Sequence, residues 1–73
     1  MPPDERVPGS YLVVVRRTTR PATVAARVGV IPAHVFEKDN YFFVDLTDAQ
    51  LQAVLRDPDV TLVEDNAFGV LKD

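Results

Sequence analysis

The chain has 73 residues, no cysteine, and eleven acidic side chains against eight basic ones, for a net charge of −3. That length allows one small domain, which buries only about 60% of the surface its unfolded chain exposes, and no disulfide or thiolate metal site can brace it. The acidic balance, with a pI near 4.9, disfavours general binding to phosphate backbones, and no apolar run approaches the roughly 20 residues needed to span a bilayer.

With 47% hydrophobic residues the chain is expected to fold. Residues 1–9, with three prolines and three charges before any apolar run, read as a flexible leader without the apolar centre of a secretion signal. The compartment is left open. Tyr11 to Val15 is a dense β-branched run and reads as the first strand. Thr18 and Thr19 offer cap hydroxyls, Pro21 suits an early helical position, and Ala22 to Val28 reads as a short helix stopped by Gly29. Ile31 to Lys38 reads as a second strand, with Pro32 favouring an edge position or a late start. Asp39-Asn40 marks a two-residue turn into a third strand from Tyr41 to Leu46.

The run from Leu46 to Asp65 carries the densest signal. Thr47 is followed three residues later by Gln50, the reciprocal pattern that satisfies the first donors of a helix. Leu51, Val54 and Leu55 then make one apolar stripe. Asp57-Pro58-Asp59 stops the helix, since proline disfavours helical backbone in the residue before it. Val60 to Val63 supplies a fourth strand, ended by Glu64-Asp65, and the remainder reads as a tail. The expected order is β-α-β-β-α-β, an α+β fold of the ferredoxin-like split type, with a four-stranded antiparallel sheet and two helices on one face. Residues 10–66 form the expected domain and 67–73 its C-terminal tail.

Alternation divides each strand between two faces. Phe42, Val44 and Leu46 share one face of the third strand, and Tyr41, Phe43 and Asp45 the other; in the first strand Leu12 and Val14 oppose Tyr11, Val13 and Val15. Both faces are largely apolar, yet two short helices cover only one. The uncovered face, to which Tyr11, Val13, Tyr41 and Phe43 are assigned, is expected to be an interaction surface. Its occupant is another protein or a second copy of the chain.

The capped helix ending in Leu-x-x-Asp-Pro-x-Val, followed by an apolar strand closing in Val-Glu-Asp, closely resembles the second half of the subtilisin propeptide family, which includes free-standing propeptide-like protease inhibitors. The resemblance spans roughly Tyr11 to Val70, strongest from Tyr41 to Asp65 and weakest from Thr18 to Pro32. It implies inhibition, chaperoned folding, or both, of a subtilisin-like serine protease. The open sheet face would dock on two helices of the enzyme, and the tail would enter its cleft. It further implies that Glu64 and Asp65 cap those helices, where unpaired donors and the positive helix end attract carboxylates. Asn66 stands where one familiar version of the motif has a further acid. In the tail, Phe68 and Leu71 suit the fourth and first specificity pockets, with Val70 between them, whereas spacing from the Val-Glu motif puts Lys72 in the first pocket. An alternative is a propeptide-like module that binds a non-protease partner.

Catalytic chemistry has little to stand on. His34 is the single histidine and Ser10 the single serine, so no nucleophile–histidine arrangement is apparent. The aspartates fit caps and turns, and no ligand spacing suggests a metal. The expectation is a non-enzyme with no cofactor. RNA-binding folds share the element order and stack bases on sheet aromatics such as Tyr11 and those in Tyr41-Phe42-Phe43-Val44. Here Lys38-Asp39-Asn40 replaces their basic-glycine lead-in, and the net charge opposes phosphate contact, so no nucleic-acid or membrane partner is expected.

Overall fold

The computed structural model describes residues 10–65 and 69–73. The leader, Asn66 and Phe68 lie outside the described residues. Seven elements follow in order: β1 (Ser10–Val15), α1 (Pro21–Val28), β2 (His34–Phe36), β3 (Tyr41–Asp45), α2 (Asp48–Arg56), β4 (Val60–Asp65) and β5 (Gly69–Lys72). They build an α+β fold with two helices and one antiparallel sheet of five strands, ordered β2-β3-β1-β4-β5. Helix α1 joins β1 to β2 with β3 between them, and α2 joins β3 to β4 with β1 between them.

The sheet corrects the expected strand count. Gly69–Lys72, read from sequence as tail, pairs with β4 as a fifth strand. Gly69 has φ +81°, a left-handed conformation that costs glycine little, and it leads the chain back along β4. Strand β2 is also shorter than expected. Proline at position 32 has no N–H to give a ladder, and Ile31 stays 91% exposed, so pairing starts only where the Ala33 N–H donates to the Phe43 carbonyl.

Local signals account for the helices. Thr47 accepts from the Gln50 N–H while the Gln50 side chain accepts from the Thr47 N–H, closing the capping box. In α1 the N-cap is Arg20, without a side-chain cap, so the expected capping role of Thr18 and Thr19 is not realised. Gly29 ends the helix at φ 77°, and the Val30 N–H donates back to the Ala25 carbonyl. The β2–β3 connection is a four-residue turn over 37–40 rather than a two-residue one. Asn40 takes φ 60° there, a conformation asparagine tolerates better than most residues.

Both helices lie on the same face of the sheet. Val24 and Ala25 of α1 and Val54 of α2 pack with Tyr11, Val13, Val15, Phe42, Val44, Val60 and Val63 in one buried cluster. Each fully buried aliphatic or aromatic side chain contributes about 1.5–3 kcal/mol. Of the α2 stripe only Val54 is fully buried; Leu51 and Leu55 flank the core.

Candidate interaction surface

Strand register decides which side chains meet on the uncovered face. Leu12 stands opposite Phe43 and Val14 opposite Tyr41 across β1 and β3. His34 stands opposite Phe43 and Phe36 opposite Tyr41 across β2 and β3. On the other side of β1, Leu12 pairs with Glu64 and Val14 with Leu62. These residues alternate with the buried ones along every strand, so they share the face that α1 and α2 leave open.

The β2–β3 half of that face is aromatic. Phe36 and Tyr41 stack with ring centres 4.6 Å apart, Phe43 meets each of them edge-on at 5.8 Å, and the His34 ring lies 4.3 Å from Phe36. Offset and edge-on contacts suit the ring quadrupoles. Each ring therefore holds its neighbours upright on the sheet. Phe36, Tyr41 and Phe43 are half-buried and His34 is exposed. The β1–β4 half is aliphatic, with Leu12, Val14 and Leu62 half-buried and Glu64 exposed at its end.

Some expected site residues belong elsewhere. Tyr41 and Phe43 lie on the open face as assigned. Tyr11 and Val13, grouped with them from sequence, are 4% and 0% exposed under the helices. Their places are taken by Leu12 and Val14. The two acids at the end of β4 also separate: Glu64 is exposed on the open side, whereas Asp65 is 7% exposed opposite Tyr11. Only Glu64 is presented to a partner as a carboxylate.

Val70, Leu71 and Lys72 are not a loose extension. Val70 pairs with Glu64 and Lys72 with Val63, which leaves Leu71 as an extra residue in a bulge. The Lys72 ammonium donates to the Leu55 and Asp57 carbonyls, 3.0 Å to each. Carbonyls at a helix C-terminus lack intrahelical donors and carry partial negative charge, so a cation there is stabilising. Beside this contact, Arg27 forms a two-pronged pair with Asp57, donating from Nε at 2.9 Å and Nη2 at 2.8 Å, and Nη2 also reaches Asp59 at 2.9 Å. Burial acts to raise the Asp57 pKa, but the hydrogen bonds from Arg27 and from the Asp59 N–H, with the charges of Arg27 and Lys72, hold the carboxyl below its usual range. Those carboxylates in turn raise the Arg27 guanidinium. Together they join α1, the α2–β4 corner and β5.

No family model, curated protein or solved structure matches the chain. Among the described residues no group of three metal-ligating side chains converges, and no helix is long and apolar enough to cross a membrane.

Two of the missed face residues had a usable signal. Either turn length, two residues or four, places Phe36 on the face of Tyr41 and Phe43, because shifting register by two preserves the side. His34, two residues earlier, follows it. Leu12 and Val14 had none, since both alternating sets of β1 are apolar.

Proposed function

We propose that this chain is a propeptide-like inhibitor of a subtilisin-type serine protease, docking by the open face of its sheet. The observation that carries the reading is the aromatic and aliphatic face left without a helical cover among the described residues. The order of its first six elements agrees with the ferredoxin-like split arrangement that the resemblance implies, with β5 as an addition at one edge. Protease helices packed on Leu12, Val14, Phe36, Tyr41 and Phe43 would remove that face from water. Glu64 stands at its end, where it can accept from the donors of a helix N-terminus. The same contacts template enzyme folding, because a ligand selective for the folded state stabilises it.

Tail occupancy of the cleft requires a further step: β5 has to leave β4 and Lys72 has to give up two carbonyls. The closed β5 favours a second reading, in which the open face binds a non-protease protein and the tail stays on its own sheet. One titration separates them. The chain, its Phe43→Asp variant and a form ending at Asp65 are assayed against a panel of subtilisin-type proteases. Inhibition that is weakened by Phe43→Asp and lost on truncation supports the first reading. Absence of inhibition at micromolar concentrations rejects it in favour of the second.

A further inference from the structure

Away from the open face, the β1–α1 loop and the β2–β3 turn enclose a cavity of about 520 Å³ at the end of the sheet where β1 finishes and β3 begins. Arg17, Arg20 and Lys38 line it, with Glu37 as the one carboxylate. Among the described residues the remaining basic side chains divide differently. Arg16 and Arg27 pair with Asp57 or Asp59, Lys72 holds backbone carbonyls, and Arg56 lies on α2. Three of the four cations without an ion pair or a carbonyl partner among the described residues therefore gather in one concavity, in a chain whose net charge is −3.

The walls are held in place. The Asn40 side chain donates to the Arg16 and Thr19 carbonyls at 3.3 and 3.2 Å, tying the loop to the turn. The Asn40 carbonyl accepts from the Val15 N–H at 2.8 Å, and the Thr19 N–H donates to the Arg16 carbonyl. The hydroxyls of Thr18 and Thr19 add neutral donors to the lining.

We propose that this cavity binds a small phosphate-bearing molecule. Two guanidiniums offer planar forks suited to phosphate oxygens, and Lys38 adds a point charge. The volume lies within the range of small-molecule sites and exceeds the needs of a single carboxylate. A long polyanion is disfavoured, because Asp45, Asp48, Glu64 and Asp65 stand at the opposite end of the same sheet.

Backbone-amide NMR of the whole chain, titrated with pyrophosphate at constant ionic strength, tests the site. Saturable shifts confined to residues 17–20 and 37–40 are expected, with at least a tenfold loss of affinity in the Arg20→Gln/Lys38→Gln variant. Arg56→Gln, at an exposed cation outside the cavity, should bind as the parent does. Linear shifts spread over all basic residues, or equal binding by the double variant, would overturn the proposal. The replaced side chains are exposed, and an unchanged amide spectrum of each variant before titration confirms its fold. Protease inhibition is not part of this readout, so the cavity stands or falls independently of the docking face.

Discussion

Phe42 and Phe43 are neighbours in β3, yet one is fully buried beneath two helices and the other half-exposed among rings on the opposite side. The covered face is built mostly of valines around a single phenylalanine, shapes that interdigitate with Val24, Ala25 and Val54 of the helices. The open face has larger, flatter side chains that support one another laterally through ring contacts. Similar hydrophobicity thus serves two ends, and the difference lies in what each set packs against. Lateral ring packing shields part of each side chain without a second layer, which lets a small monomer carry an apolar surface.

Substitutions that act on one face and spare the other put this contrast to the test. Phe42→Ala should have the largest effect, destabilising by about 3–5 kcal/mol. That is a large share of the roughly 5–15 kcal/mol a domain has in total. Urea denaturation followed by circular dichroism measures it, and a loss below about 1 kcal/mol would show that the two faces had been exchanged.

Asp57→Asn comes next, at about 1.5–3 kcal/mol for loss of charge-assisted hydrogen bonds near neutral pH. It also has a pH signature. The folded-state pKa of Asp57 is depressed, so its contribution is fully present above the ordinary value of 3.8 and is lost as pH falls through the lower folded value. The parent should therefore lose more stability than Asp57→Asn on acidification below about pH 4. Parallel pH profiles in thermal melts would remove Asp57 from the account of acid sensitivity.

Lys72→Met should cost about 1 kcal/mol, concentrated at the sheet edge. Hydrogen exchange should quicken at β5 amides and leave β1 and β3 protected. If the tail enters a protease cleft, the same change should speed the onset of inhibition; slower onset would mean that Lys72 acts on the enzyme instead.

Phe43→Asp should have the smallest effect on the fold, under about 1 kcal/mol from lost cross-strand contacts, while weakening partner binding most. Cooperative unfolding at nearly the parent midpoint, together with undiminished binding, would remove the open face from the proposed function.

Much of this arrangement was legible in the order of residues. The Thr47–Gln50 box, the stop at Asp57-Pro58, Gly29 as helix terminator and the period-2 division of β3 all depend on contacts within a few residues, so sequence spacing determines them. Tertiary structure alone decided which face of β1 the helices cover, because both of its alternating sets are apolar and its partners lie some thirty or more positions away. It also decided that Arg27 would meet Asp57 across 30 residues, and that the tail would turn back as β5 with Lys72 on the end of α2. Backbone groups and cations of that kind have many acceptable partners, and only the assembled chain brings one of them within hydrogen-bonding distance.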